Sequence, residues 1–451
     1  MTSAIATRAG RTDAAGATDG FGSCAAAARR ALAVATLLAT ALTPDRSAAA
    51  QLPSANAGAL ALGGTYTAQA RGADAVAWNP AALGLPGTPR FSVAVLPTRG
   101  TLGLHQVSLG VVGAYIDTIV PVEFNRGYIA RITGQVSERG TSGFEGSLVA
   151  LSRGRFGMQV ASLGRSIQRI APDPGALEAF EQAGRLDFAG ASYDVVVAST
   201  AALSYAVPLR TPRAGARGGA LAIGATVKYT VGHALIYGYD RGSLLTLEPL
   251  ALAIDFPVIE SDTVFDRPEN KGRGIGVDVG AAWEGSRWSA GLAVRNAVRT
   301  FRWREDEFIF RPGTALFRRD TAAAEFDALP FAHAPAELRR KLRGLRWPPS
   351  VSAGVAVRAR RDLMLSGEFR RALGAGLEVE PRTHAGVSAE YRVRRAVALR
   401  AGGARVTSGY QLAGGAGVDI GAIGVSLGAS HRTSPVGGAT TGMLSVGYTR
   451  R

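Results

Sequence analysis

The sequence predicts an all-β chain closed into an antiparallel transmembrane β-barrel. Three observations predict it. Segment after segment alternates apolar and polar residues with period two. No stretch beyond the N-terminal region reaches the run of about 18 apolar residues that a membrane-spanning helix needs. The longest connections between segments all fall on one side.

The alternation is explicit in HAGVSAEYRV, where Ala385, Val387, Ala389, Tyr391 and Val393 oppose Gly386, Ser388, Glu390 and Arg392. In LMLSGEFR, Leu363, Leu365 and Phe369 oppose Ser366, Glu368 and Arg370. LAIGATVKY (221–229) and MLSVGYT (443–449) repeat the pattern. A strand of this kind has one apolar face and one that is polar or very small. Leu365, Val387, Tyr391 and Val446 are therefore expected to face lipid, and Glu368, Glu390 and Arg392 a wet lumen.

Sixteen such segments follow one another: 91–97, 103–115, 126–137, 143–152, 154–164, 191–207, 219–231, 272–284, 287–298, 349–359, 361–371, 383–394, 396–407, 411–421, 423–431 and 441–449. Most are near the roughly 9–11 residues that a membrane-crossing strand requires. The three longest gaps, 165–190, 232–271 and 299–348, all follow odd-numbered segments. Long outside loops and short periplasmic turns are the asymmetry of outer-membrane barrels. A soluble β-sandwich would also alternate, but here nearly every strand carries an apolar face while the opposite faces hold Gly, Ser and charges. A β-solenoid is disfavoured because no fixed repeat is visible.

Ahead of the strands, Arg29 and Arg30 precede the apolar run ALAVATLLATAL (31–42) and the small residues Ser47 to Ala50. That order is the pattern of a secretory signal peptide, with cleavage expected after Ala50, so residues 1–50 are assigned to it. The formal net charge of +16 falls to +14 on its removal, since 1–50 hold five Arg and three Asp. Strong positive charge often marks nucleic-acid binding, but an exported chain with scattered arginines points to outer-membrane lipid and lipopolysaccharide as the counter-surface and to no nucleic acid. The single cysteine, Cys24, excludes a disulfide framework and a Cys-based zinc site.

Between the signal peptide and the first strand lies ADAVAWNPAALG (73–84). Pro80 fixes its own φ and pushes Asn79 out of the helical region, so Asn79–Pro80 is a rigid turn whose backbone groups need partners. Trp78 and Leu83 are apolar anchors on either side. The longer stretch GALALGGTYTAQARGADAVAWNPAALG (58–84) resembles the N-terminal pattern of the long-chain fatty-acid transporters of the FadL type and of the related type IX secretion shuttle proteins of the PorV type. Asp74, Asn79, Pro80, Ala81 and Leu83 fall on that pattern. The resemblance implies that residues 51–90 form a hatch folded inside a barrel of residues 91–451. Fourteen strands are usual in the fatty-acid transporters, so the expected count spans 14 to 16. It also implies passive uptake of a hydrophobic small-molecule ligand such as a long-chain fatty acid, with a secretion shuttle, scaffold or structural barrel as alternatives. Insertion would be by the barrel assembly machinery. The chain departs from the family in its end: Tyr448 is followed by Thr449, Arg450 and Arg451, where an aromatic terminus is common.

No catalytic or cofactor constellation emerges. GVSLG (424–428) matches Gly-x-Ser-x-Gly, but a nucleophile elbow needs a strand, a turn and a helix, whereas Val425, Leu427 and Ala429 continue an alternating strand. The five histidines are scattered without metal-ligand spacing, and no phosphate-cradling glycine loop occurs. Two charged groupings remain. Glu368, Arg370, Glu390, Arg392 and Arg400 lie on three consecutive strands and are expected to form a cross-strand ladder in the lumen. In PAELRRKLRGLRW (335–347), Leu338, Leu342 and Leu345 make one helical stripe, with Arg339, Arg340, Lys341, Arg343 and Arg346 around it. Two readings stay open there: a helix lying at the membrane surface with its cations on lipopolysaccharide phosphates, or one capping the barrel mouth.

Overall fold

A computed structural model describes residues 52–103, 138–170, 184–188, 190–211, 219–262, 270–318, 321–374, 376–377, 381–407, 409–433 and 438–450. The expected signal peptide and residues 104–137, which include the segment 126–137 and nearly all of 103–115, lie outside them.

Fourteen strands form one closed circuit. They are β1 (Phe91–Gly103), β2 (Glu138–Arg153), β3 (Phe156–Ile170), β4 (Ser192–Arg210), β5 (Ala220–Tyr239), β6 (Gly272–Glu284), β7 (Trp288–Arg299), β8 (Ser350–Arg358), β9 (Leu363–Ala372), β10 (Thr383–Arg394), β11 (Val397–Val406), β12 (Gly409–Ile420), β13 (Ile423–Thr433) and β14 (Ala439–Arg450). Each pairs antiparallel with the next. β14 returns to β1 with Val93 opposite Tyr448 and Gly100 opposite Gly442, so the barrel has no edge. The count of sixteen is corrected to fourteen: β1 pairs directly with β2, which makes 104–137 their connection and removes one hairpin from the circuit.

Sidedness follows the expected parity. Turns after even-numbered strands are short, such as 154–155, 285–287, 359–362, 395–396 and 421–422, while 171–191, 240–271 and 300–349 follow β3, β5 and β7. The outward faces are apolar and bare: Val387 is 70% exposed and Leu412 71%, with Leu365, Tyr391 and Val446 on the same surface. Inward neighbours such as Gln159, Thr226, Ser352 and Glu368 are buried. Apolar outside and polar inside is the inversion that lipid requires of a barrel wall.

Two features interrupt the regular wall. In β7, residues 295–297 oppose the single residue Asp278, with Val277 opposite Val298 and Val279 opposite Val294, and Asn296 at this bulge has φ 54°. At the long-loop end, Phe301, Trp303, Phe308, Phe331 and Trp347 pack with Leu163, Val196 and Leu235 of the wall into one buried cluster. A separate five-stranded sheet joins Arg185–Asp187, Leu244–Leu247, Leu250–Asp255, Thr314–Arg318 and Thr321–Glu325.

Candidate functional site: the lumen segment and its wall

The barrel's inward faces close on residues 52–85. Two short helices form here, α1 (Ala57–Ala61) and α2 (Ala75–Trp78), and a 3-10 turn follows at Pro80–Gly84. Asn56 caps α1, its Oδ1 accepting from Gly58 N at 2.7 Å. Gly63 and Gly64 then reverse the chain at φ 63° and 84°, a region that favours glycine. The segment touches strands around the whole circuit, from Ser92 and Gln159 to Ser445.

The Asn-Pro turn is fully buried, not an exposed loop. Asn79 lies in the extended region, as a residue before proline must. Its Oδ1 accepts from Ala81 N at 3.1 Å and its Nδ2 donates to Ala281 O of β6 at 3.0 Å. The turn seats on wall positions stripped of side chains: a Cβ on Gly224 would stand 2.6 Å from Ala81 N, and one on Gly280 would strike Asn79 Oδ1. Ala81, Ala82, Leu83 and Leu85 pack on Ala206, Ala220, Ala222 and Ala282. Trp78 donates from Nε1 to Ser54 Oγ at 3.1 Å, meets Tyr66 edge-on at 5.7 Å, and has Arg295 and Arg370 over its ring at 5.2 and 5.7 Å.

The stretch 63–69 is held differently. Glu368 Oε2 accepts from both Tyr66 N and Thr67 N at 2.8 Å. Thr65 Oγ1 bonds Ser388 and Ser366, His384 Nε2 donates to Gly63 O at 2.7 Å, and Gln69 Nε2 donates to Ser366 Oγ at 2.7 Å. Asp74 Oδ2 accepts from Asn56 Nδ2 and Tyr66 Oη, both at 3.2 Å. Burial pushes the Asp74 carboxyl up to about 6, against the pull of those two donors and of Arg400. Burial likewise raises the Tyr66 phenol, assisted by the charge of Asp74.

The expected ladder divides into separate contacts. Glu390 and Arg400 face each other in register and pair at 2.8 Å, with Arg392 on the same carboxylate at 3.2 Å. Glu368 accepts from backbone amides of the lumen segment and Arg370 lies over Trp78, because residues 52–85 occupy the space the two strands face. Sequence reading missed a second buried group: Lys228 Nζ reaches Asp278 Oδ1 at 2.7 Å and Asn296 Oδ1 at 2.6 Å, and Asn296 N donates to Asp278 at 2.7 Å. All three have inward parity, but the bulge that joins them has no sequence signal.

The basic helix α3 (Ala336–Gly344) buries Leu338 and Leu342 in the mouth cluster, with Leu345 beside them. Its stripe is thereby spent on the barrel mouth, which corrects the reading as a helix lying on lipid. Arg343 pairs with Glu305 at 2.6 Å and holds that carboxyl below its usual range. Lys341 lies 4.9 Å over Tyr237, Arg340 is exposed, and Arg339 and Arg346 are half-buried. GVSLG lies within β13, so Ser426 is a mid-strand residue.

No family model matches the chain, and no curated protein matches it. Among solved structures it is similar to a FadL homologue of Pseudomonas aeruginosa at 13% identity, covering 90% of this chain and 100% of that one, with a TM-score of 0.46. It is similar to the toluene transporter TbuX of Ralstonia pickettii at 14% identity, 89% and 99% coverage and TM-score 0.45. The toluene transporter TodX of P. putida is similar at 10% identity, 88% and 99% coverage and TM-score 0.48. The chain is a closed transmembrane β-barrel of fourteen strands. Its own strand pairings and lipid-facing wall carry that statement, and identities this low pass no residue assignment from those proteins to this one.

Proposed function

We propose that this barrel is a passive channel for small hydrophobic molecules, with residues 51–90 as its hatch. One observation carries the reading: an aromatic and aliphatic cluster fills the outer mouth, and the lumen below it is filled by a segment held without any covalent tie to the wall. A hydrated solute finds no open path through such a lumen, whereas an apolar one gains by leaving water at the mouth. Between the hatch and the wall sits a chamber of about 80 Å³ lined by Leu60, Trp78 and Met443 together with Arg99, Arg165 and Arg432. An apolar side beside cations suits the chain and carboxylate of a fatty acid, which is the finer reading of the substrate. The chamber is too small for such a molecule, so passage requires the hatch to shift. The sequence has no phosphate-binding loop to couple energy, so transport is downhill. The exposed cations of α3 are proposed to face lipopolysaccharide, and β14 to be read by the assembly machinery.

Proteoliposomes test the proposal. Labelled oleate and toluene are each expected to enter faster than into empty vesicles, and the double variant Asn79→Ala/Pro80→Ala is expected to alter the rate while the barrel stays folded. Uptake no faster than into empty vesicles overturns it.

A further inference from the structure

Two neighbouring turns of the periplasmic rim concentrate exposed arginine. On the long-loop side four cations are matched by carboxylates, Arg241 with Asp255, Lys271 with Glu307, Arg311 with Glu260 and Arg343 with Glu305, while Arg340 of α3 is exposed. At the turns joining β6 to β7 and β8 to β9, Arg287, Arg358, Arg360 and Arg361 are exposed and have no carboxylate in contact among the described residues. Arg358 N donates to Arg287 O at 2.8 Å, which fixes the two turns side by side. Asp362 is the acidic residue of the second turn, and Glu284, at the end of β6, is engaged by Arg71 at 3.1 Å.

Directly above these arginines the outer wall is grooved. A cavity of about 490 Å³ runs over β5 to β9 on the lipid side, within the size range of about 300–1,000 Å³ typical of small-molecule sites. Its shape follows from register: Trp283 faces Ala290, Ala290 faces Val355 and Val355 faces Gly367, while Leu292 faces Ala353 and Ala353 faces Phe369. Large and small outward side chains thus alternate across four strands, which leaves a channel between Trp283, Leu292, Val355 and Phe369. Trp288, 55% exposed and opposite Val357, lies between groove and arginines. Tryptophan at that level marks the boundary between hydrocarbon and headgroups. From Val355 to Arg358 is three residues, roughly 10 Å along a strand.

We propose that this groove and its arginines form a site for one anionic phospholipid of the periplasmic leaflet. An acyl chain lies in the groove between Trp283 and Phe369, and the phosphodiester rests on Arg287, Arg358 and Arg360. Charge complementarity selects the occupant: a zwitterionic lipid carries the same chain but leaves the cationic turns uncompensated. The site is on the outer wall and does not depend on the uptake reading.

Native mass spectrometry of the full folded chain, released from detergent after incubation with phosphatidylglycerol or phosphatidylcholine, tests the site. One phosphatidylglycerol is expected to persist where phosphatidylcholine is stripped. The triple variant Arg287→Gln/Arg358→Gln/Arg360→Gln is expected to weaken retention roughly tenfold or more. The groove-filling pair Ala290→Leu/Gly367→Leu is expected to do the same with every arginine in place, and heat-modifiable gel mobility verifies that each barrel is folded. Equal retention of the two lipids, or retention unchanged in either variant, overturns the proposal. The first outcome means an ordinary lipid annulus, and loss in the arginine variant alone means a headgroup contact without a built site.

Discussion

The two arms of the lumen segment are held to the same barrel by opposite means. Residues 63–69 sit on β9 and β10 through side-chain acceptors and donors, Glu368, Ser366, Ser388 and His384 among them. Residues 79–85 sit on β4 to β6 through glycine and alanine, with one side-chain hydrogen bond, from Asn79 to Ala281 O, crossing to the wall. A polar attachment is directional and exchangeable with water, so it can open in steps. Close packing is lost all at once when the surfaces part. The first arm is therefore the one suited to release, and the second the one suited to hinge or hold.

Substitution of Gly224 by Val would break the packed arm. The added Cβ meets backbone at Ala81 and cannot be accommodated by rotation of a side chain, so the cost is expected at or above the upper end of the roughly 1–3 kcal/mol typical of overpacking. Hydrogen exchange in residues 75–85 should rise sharply while the strand amides stay protected. If exchange rises equally across 63–69, the arms are one unit and the contrast fails.

Glu368→Ala acts on the polar arm. It leaves the Tyr66 and Thr67 amides without their carboxylate, at about 2–3 kcal/mol, and exposes 63–69 to exchange while 79–85 remains protected. Glu368→Gln should restore much of the protection, because one oxygen accepts both bonds.

Acidity sharpens the distinction further. Asp74 has a folded pKa raised from 3.8 to about 6, so the docked state gains protons relative to an undocked one. Docking is then favoured below pH about 4 and loses up to about 3 kcal/mol as pH climbs from there through 6. Protection of 63–69 should fall between about pH 4 and 6 in the native chain, the interval between the ordinary and the shifted pKa, and level off above it. Asp74→Asn should flatten this profile, and a profile that persists in the variant assigns the effect elsewhere.

The smallest effect is expected for Trp78→Phe, which loses the bond to Ser54 Oγ and weakens the stacking of Arg295 and Arg370, about 1 kcal/mol in all. Both arms should loosen slightly, since Trp78 lies between them.

Much of this arrangement is written in local sequence. Period-two alternation placed most of the strands, because in a barrel each residue meets either lipid or lumen and nothing between. The parity of loop lengths survived an error in strand number, since a hairpin adds one turn of each kind. Asn79–Pro80 was legible as a rigid turn with groups to satisfy. Its burial was implied only by the resemblance and its seat not at all, because the glycines that receive it, Gly224 and Gly280, lie far along the chain on β5 and β6.

By itself, the sequence determined the class of the fold, the lipid and lumen faces, the sidedness of the loops and the rigid turn, all of which depend on neighbours within a few residues. Tertiary structure decided the number of strands, the division of the charge ladder and the burial of the α3 stripe in the mouth. It also decided the meeting of Lys228, Asp278 and Asn296. Each of these depends on which distant strands come into register, and register is set by closure of the whole circuit and by the chain that fills it.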